Sequence, residues 1–455
     1  MQNTRRLILG LSFILIFQQS LAQSPTIVKR DPGISAMVNE VSAENIEKII
    51  RQLASFGTRH TLSNATSDST GIGAARRWIK AEMERYSAES GGRLQVAFDT
   101  FVVEPNGGRI SRAVTLKNVL ATLPGTDEND SRVYIVSGHY DSRVSGSMDS
   151  TSFAPGANDD ASGTAVAMEL ARVMSKNEYA ATIIFAAVSG EEQGLFGAAN
   201  IAKRAKAEAW NIDAMITNDI VGNSWSSGTD LKDNLRLRVF SEGVPAAETE
   251  AQARLRQSAG GENDSPARQL ARYIKEIGER YVDQLNVTLI YRRDRFLRGG
   301  DHTPFSREGF TAVRLTEMNE NYARQHQDVR EEEGVQYGDL PEFVDYNYVA
   351  KVARTNMAVL ANLASAPASP DSVGVMITRL TNDTTLRWAQ PKGKAPAGYY
   401  VLMRETHVPF WQRKFYTEKT EITLPYSKDN YFFAVQSVDA DGHESLPIFP
   451  RPRRR

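Results

Sequence analysis

Short, mainly apolar segments alternate with amphipathic helical patterns between residues 36 and 364. The patterns predict strands at residues 119–123, 133–137, 182–188, 214–217 and 312–316, and helices at residues 36–57, 71–86, 161–174, 197–207, 267–284 and 346–363. Residues 183–188 are apolar at every position, as expected of a strand that is covered on both faces. This alternation predicts an α/β fold, with a three-layer domain in which helices cover both faces of a mainly parallel mixed sheet.

Changes of composition along the chain predict the domain boundaries. Residues 23–364 form the predicted main domain, and the polar, Ala/Glu/Arg-rich residues 224–295 indicate an insertion that walls or covers a cleft. The Ser/Ala/Pro stretch at residues 365–370 is typical of a linker. Residues 371–455 contain short alternating strands with aromatic core positions, which predict a small all-β sandwich resembling a fibronectin type III domain. Its last five residues, 451–455, are predicted to be a frayed basic tail.

The N-terminus has the pattern of a signal peptide over residues 1–22. Arg5 and Arg6 precede an apolar run at residues 7–17, which is too short to span a bilayer, and Ala22 ends a small-residue cleavage pattern. We therefore expect a secreted or periplasmic protein, although an anchor that is never cleaved stays an open alternative.

Composition excludes several classes of function. The formal net charge is -1, which favours neither nucleic acid nor an anionic membrane as a partner. The chain has no cysteine, so disulfides, thiol catalysis and thiolate metal sites are excluded. No second apolar stretch approaches the length of a transmembrane helix, and nothing in the sequence indicates the oligomeric state.

Four segments bring polar side chains to the ends of predicted strands or to the start of a predicted helix. They contain His139 with Asp141, residues 156–163, Glu191 with Glu192, and Asp219. Because the ligand crevice of an open α/β sheet lies outside the carboxyl ends of its strands, we expect these side chains to meet at one edge.

Imidazole and carboxylate groups without thiolate are the ligands that suit Zn²⁺. A bare carboxylate cluster would repel itself, and two metal ions about 3.5 to 4 Å apart are a known way to relieve that repulsion in hydrolases. Each segment alone has a simpler interpretation: Asp159 or Asp160 as a helix cap, or Glu191 and Glu192 as a solvated turn. The coincidence of all four favours the metal site.

Two of these blocks, Asn-Asp-Asp-Ala-Ser-Gly at residues 158–163 and Gly-Glu-Glu-x-Gly at residues 190–194, resemble those of the di-zinc exopeptidases. That family includes bacterial leucyl aminopeptidases, glutamate carboxypeptidases and glutaminyl cyclases, and the resemblance covers about residues 36–364. It implies two zinc ions per chain. The implied ligands are His139, Asp159 as the bridge, Glu192, Asp219 and His326.

The fifth ligand departs from the family pattern. Gln325 precedes His326, and Asp328 follows two residues later rather than four. His302, in a segment that resembles one lining the site in the family, is the competing candidate. We assign His326.

The resemblance also implies catalytic roles. Glu191 matches the general base that takes a proton from the attacking water. Asp141, two residues after His139, is placed to accept a hydrogen bond from the imidazole. Tyr322 is a candidate for stabilising the oxyanion. His60, His407 and His443 are predicted to be surface or packing residues, and Arg387 and Arg404 are predicted to be solvated strand residues.

These features predict a zinc-dependent exopeptidase, most specifically an aminopeptidase that releases N-terminal residues from peptides by a two-metal mechanism with a Glu base. Three alternatives stay open. They are a glutaminyl-cyclase-like transferase with one zinc ion, a carboxypeptidase acting on acidic peptides, and an inactive exported binding protein.

Overall fold

The computed structural model describes residue 28 and residues 30–454. The predicted signal peptide, residues 1–22, lies outside these residues and stays a prediction. Within the described residues, no helix is both long and apolar enough to cross a membrane.

The described chain forms nine α-helices and two 3₁₀ turns. The helices are α1 (Pro32–Glu40), α2 (Ala43–Ser55), α3 (Gly71–Glu89), α4 (Ala161–Met174), α5 (Phe196–Ala207), α6 (Glu250–Ala259), α7 (Pro266–Tyr281), α8 (His302–Arg307) and α9 (Tyr346–Ser365), and the turns are Gly261–Asn263 and Pro341–Phe343.

The strands fall into one large sheet and three smaller ones. Those of the large sheet are β1 (Gln95–Val103), β2 (Val114–Leu123), β3 (Arg132–His139), β4 (Thr182–Val188), β5 (Asn211–Asn218), β6 (Arg236–Phe240), β7 (Asn286–Ile290) and β8 (Ala312–Glu317). The others are β9 (Arg330–Glu332), β10 (Val335–Tyr337), β11 (Asp371–Met376), β12 (Thr384–Ala389), β13 (Gly398–Glu405), β14 (Arg413–Thr417), β15 (Glu421–Leu424), β16 (Tyr431–Val438) and β17 (Arg451–Arg453).

The large sheet has the order β1-β2-β4-β3-β5-β8-β6-β7 and is mixed. Strand β3 is parallel to both β4 and β5, and β5 is parallel to β8, whereas β2 is antiparallel to β1 and β4. Alternate residues of β3 show that both faces are covered: Tyr134 and Val136 pack in the core that includes α4 and α9, while Ile135 packs with residues of α5. The predicted fold class is confirmed.

The predicted helix at residues 36–57 is two helices. Val41 is extended, with φ -63° and ψ 120°, and the Ser42 side chain then caps α2 by accepting a hydrogen bond from the Asn45 backbone. Apolar residues at helical spacing do not reveal such a break, because both helices pack Ile34, Val38 and the α2 side chains into the same core.

The stretch at residues 224–295 is not a separate insertion. Strand β6 pairs with β8 and β7 pairs with β6, so both extend the large sheet, while α7 packs its apolar face in the same core as α9. Strand β6 was not predicted, although the alternation of Arg236 and Arg238 with Leu237 and Val239 is typical of a strand with one covered face.

The strands after residue 370 form a four-stranded sheet, β15-β12-β11-β17, and a three-stranded sheet, β14-β13-β16. The two sheets share one apolar core, in which Trp388 meets Tyr399 edge-on with ring centroids 5.2 Å apart. Their likeness to a fibronectin type III domain stays a prediction. The expected frayed tail is wrong for Arg451–Arg453, which pair in parallel with β11.

Candidate metal centre

Three parallel strands deliver the predicted ligands to one edge of the large sheet. His139 is the last residue of β3, Asp219 directly follows β5, and Glu192 lies in the loop after β4. Because β3 is parallel to β4 and β5, their carboxyl ends lie side by side. The chain thus brings one imidazole and two carboxylates together from segments that are distant in sequence.

Helix α4 starts unusually close to these strand ends. A Cβ atom on Gly138 would stand 2.1 Å from the backbone of Gly163, and a Cβ atom on Gly163 would stand 2.0 Å from the backbone oxygen of Asn218. Any side chain at either position would push α4 away from the sheet. Glycine at both positions therefore sets the distance between Asp159, just before α4, and the ligands on the strands.

Asp159 lies between the two predicted histidine ligands. Its Oδ1 is 3.2 Å from His139 Nε2, and its Oδ2 is 2.8 Å from His326 Nε2. Asp219 Oδ1 lies 3.8 Å from the same His139 nitrogen, and Glu192 Oε1 lies 2.9 Å from the same His326 nitrogen. All five predicted ligands thus form one cluster, in which two groups of donor atoms share Asp159.

Asp160 lies next to this cluster but has a structural role. It lies close enough to His139 and Asp219 to be a ligand candidate. However, its carboxylate accepts backbone hydrogen bonds from Gly163 at 2.9 Å, from His139 at 2.9 Å and from Ile220 at 3.2 Å. The helix-cap interpretation applies to Asp160, which leaves Asp159 to face the cluster.

Asp141 is fully buried next to the cluster, but its carboxylate does not bind the imidazole most closely. His139 Nδ1 is 3.1 Å from the backbone oxygen of Asp141 and 3.6 Å from its carboxylate. The carboxylate instead accepts backbone hydrogen bonds from Gly190, Glu191 and Glu192 at 2.9 to 3.2 Å. It orients the loop that carries both glutamates, while the main chain sets the tautomer of His139.

The carboxyl group of Glu191 has no hydrogen-bond partner among the described residues. Burial raises its pKa well above the usual value, and the charges of Asp219 and Glu192 add to the rise. A carboxyl group that is held close to a ligand cluster and is not used structurally is available for proton transfer.

Two predicted candidates are not part of the ligand groups among the described residues. The Tyr322 side chain is exposed and stands on the wall of a surface cleft with Arg295 and Glu320. His302 is buried and its Nε2 lies 2.8 Å from the backbone oxygen of Arg293, to which it donates. The cluster contains His326 and not His302.

Buried cations close to the cluster were not predicted. Arg143 contacts Glu192 Oε2 through Nε at 2.8 Å and His326 Nδ1 through Nη2 at 2.6 Å. Arg314 lies 2.9 Å from Asp219 Oδ1, and although burial opposes it, this charge holds the pKa of Asp219 at about 2. A cation between Val313 and Leu315 of the predicted strand was the available signal for Arg314.

Three further polar residues surround the cluster. Gln325 donates to Asp159 Oδ2 at 3.2 Å, and Asp339 accepts from the Asp159 backbone at 2.7 Å. Asp301 is 1% exposed, and neither of its carboxylate oxygens has a hydrogen-bond partner in the part of the chain that the structure describes. Burial raises the pKa of Asp301 to about 7. In the sequence, the position of Asp301 next to His302 indicated a site residue, whereas no pattern indicated Asp339.

The donor atoms of the cluster fit a pair of divalent cations of the zinc type. Two imidazoles and three carboxylates converge, and the bridging carboxylate of Asp159 offers one oxygen to each side. A third group, Asp439, Asp441 and His443, lies after β16, but the Lys394 ammonium already pairs with Asp439 at 2.8 Å.

The chain is similar in sequence to a known peptidase family. The model of peptidase family M28 matches residues 118–340. A "probable zinc metalloprotease" of Leptosphaeria maculans is 50% identical over 92% of this chain and 97% of its own length. One of Pyricularia oryzae is 46% identical over 93% of this chain and 85% of its own length.

Solved structures from Legionella pneumophila have a similar fold. LapA aminopeptidase gives a TM-score of 0.52 at 19% identity, over 76% of this chain and 79% of that chain. LapB gives 0.51 at 15% identity, over 74% and 76%. At these identities the likeness concerns the arrangement of the α/β layers alone.

Proposed function

The chain belongs to peptidase family M28, and from that premise we propose that it is a zinc-dependent exopeptidase, most specifically an aminopeptidase. Two relatives that share 50% and 46% of its residues are described as probable zinc metalloproteases, which supports zinc as the metal. The observation that carries the proposal is the Asp159 carboxylate, whose two oxygens face His139 and His326 at 3.2 and 2.8 Å.

Two sets of residues would hold two ions. One set is His139, Asp219 and Asp159, and the other is Glu192, His326 and the same Asp159. Bound zinc would supply a Lewis acid for the scissile carbonyl and would lower the pKa of the attacking water. The presence of His139 and Asp219 favours two ions over the single ion of a glutaminyl-cyclase-like transferase.

Glu191 is the proposed general base and acid. Hydrogen bonds from the Gly190, Glu191 and Glu192 backbone to Asp141 hold its loop in place. Its carboxylate would take the proton from the attacking water and pass it to the leaving amine.

Asp301 supports aminopeptidase rather than carboxypeptidase action. Its buried carboxylate lacks a hydrogen-bond partner and interacts most strongly with the charges of His139 and Asp219. The free ammonium group of a peptide N-terminus would supply the missing partner beside the cluster. The N-terminal sequence pattern adds secretion or periplasmic export to the proposal.

The first test measures zinc per chain and hydrolysis of aminoacyl chromogenic substrates by the purified protein. We expect two zinc ions per chain, cleavage of substrates with a free α-amine, and no cleavage of their N-acetylated counterparts. One zinc per chain with cyclase activity would instead favour the transferase.

Substitutions test the individual roles. Glu191→Gln should retain zinc and lower kcat at least about 100-fold, because it removes only the proton acceptor. His326→Ala should lose far more zinc than the matched His302→Ala variant. Unchanged turnover in Glu191→Gln, or the reverse order of zinc loss, would contradict these assignments.

A further inference from the structure

A basic cleft of about 340 Å³ opens on the surface near the metal centre. It lies between the end of β7, the loop that follows it, β6 and the segment after β8. The cleft is lined by Arg238, Phe240, Ile290, Arg292, Arg295, Phe296, Arg298, Glu320 and Tyr322. Four arginines thus face one acidic residue.

Glu320 and the neighbouring Asp294, which pairs with Arg295 at 3.3 Å, are two carboxylates and cannot neutralise the four guanidinium groups. Glu320 is 3.0 Å from Arg238, 2.9 Å from Arg295 and 3.8 Å from Arg298, so three cations share it. Arg292 has no carboxylate within ion-pair distance in the described part of the chain, and its guanidinium lies 5.4 Å from the centre of the Phe296 ring. Arg292 and Arg298 are therefore available to an anion from outside.

The walls of the cleft also offer apolar surface. The Phe296 side chain is 71% exposed and Tyr322 is 59% exposed, and both stand beside these arginines. An aromatic rim next to paired guanidinium groups suits a short aliphatic chain that ends in a carboxylate, which arginine can bind through two parallel hydrogen bonds.

The loop that forms the cleft also touches the metal centre. Arg314 bridges Asp219, at 2.9 Å, and Asp294 of the loop, at 3.4 Å. Two residues after Arg298, a Cβ atom on Gly300 would stand only 3.3 Å from Asp219 Oδ2. The loop that lines the cleft thus continues directly into residues beside the proposed reaction site.

We propose that this cleft binds a carboxylate of the peptide substrate, an inference that rests on the proposed peptidase function. Carboxylates are the anionic groups of an unmodified peptide, so the charge of the cleft selects acidic substrates. The carboxylate belongs either to an Asp or Glu side chain next to the scissile bond or to the end of a short peptide.

Paired substrates distinguish the two sources. The zinc-loaded protein is assayed on amidated peptides that begin with Glu or with Gln, and on Gln-containing dipeptides with a free or an amidated C-terminus. We expect kcat/KM to be about tenfold higher for the charged member of one pair, as for a charge-assisted hydrogen bond. Added salt should reduce the ratio, because it screens exposed charges.

Two arginine variants and one control locate the effect. Arg298→Gln and Arg292→Gln should each lower the preference for the charged substrate severalfold and leave kcat/KM for the neutral substrate nearly unchanged. Arg254→Gln is the control, since Arg254 is exposed on α6 and pairs only with Glu250. Its substrate preference should equal that of the wild type.

The outcomes separate this inference from the proposed function. Efficient cleavage of neutral substrates without preference in either pair would overturn the inference alone. An equal preference in Arg298→Gln, Arg292→Gln and the wild type would also overturn it. Failure to cleave any peptide would overturn the proposed function with it.

Discussion

Two buried clusters of charged side chains differ in how their charges are matched. The first, here the docking cluster, joins α7 and the segments beside it to the C-terminal strands. It contains Asp264, Arg272, Glu276, Arg280, Arg404, Lys414 and Glu444. Asp264 receives Arg272 at 2.9 Å and Arg404 at 2.6 Å on separate oxygens, and Glu444 receives Arg280 at 3.0 Å and Lys414 at 2.6 Å.

The second cluster is the metal centre, where carboxylates exceed the cations that the chain supplies. Arg314 pairs with Asp219 and Arg143 pairs with Glu192, but Asp301 has no partner and Glu191 has a raised pKa. The contrast indicates different roles. A cluster in which every carboxylate is paired joins parts of the structure, whereas one that lacks positive charge calls for cations and substrate from outside.

The largest expected effect comes from breaking the docking cluster. Asp264→Ala leaves the guanidinium groups of Arg272 and Arg404 buried without their carboxylate. Removing one partner of such a buried pair costs about 3–5 kcal/mol of unfolding free energy. Denaturant unfolding of wild type and variant, both loaded with zinc, measures the loss.

The kcat of the Asp264→Ala variant is the control for that experiment. Asp264 contacts no residue of the metal centre, so kcat of the folded variant should match the wild type. A loss of stability below about 1 kcal/mol would show that the docking cluster does not hold the two parts together in the way that buried pairs do.

The next prediction concerns the pH dependence of stability that arises from His302, beside the metal centre. Burial, aided by the charge of Arg314, lowers the pKa of His302 to about 4. In the unfolded chain the pKa is about 6.5, so between these values the unfolded state binds a proton that the folded state does not. The contribution of His302 to the free energy of unfolding should therefore fall by about 3 kcal/mol as the pH drops from 6.5 to 4.

His302→Gln isolates this contribution, because glutamine can still donate to the Arg293 backbone but does not titrate. Both proteins are unfolded with a chelator present, so that loss of zinc does not enter the comparison. The curve of the variant should be flatter over this pH range. Parallel curves would show that His302 is protonated in the folded protein as readily as in the unfolded chain.

Much of the large sheet could be predicted from the sequence, because its signals are local. Residues 182–188 and 161–174 were predicted with the bounds of β4 and α4, and the buried faces explain why: both are apolar on nearly every side. The ligand cluster followed from the same logic, since parallel strands end at one edge. His326 could be assigned only through the family resemblance.

Features that depend on distant partners could not be predicted. Arg404 was expected to be solvated, but it is 2% exposed because Asp264, far away in sequence, meets it from the start of α7. The surroundings of two other residues are likewise set by the fold. Asp301 is left unpaired and Glu320 is shared by three arginines because of the residues that the fold places beside them. Single-sequence patterns carry no information of that kind.

The smallest expected effect is at an exposed pair that resembles the docking cluster only in chemistry. Arg387 and Glu421 form an ion pair across β12 and β15, and their side chains are 46% and 48% exposed. Water already solvates both groups, so Arg387→Ala should cost at most about 1 kcal/mol. A double-mutant cycle with Glu421→Ala measures the pair itself, and salt should weaken it further. A coupling as large as the cost of Asp264→Ala would mean that burial is not what makes the ion pairs of the docking cluster stabilising.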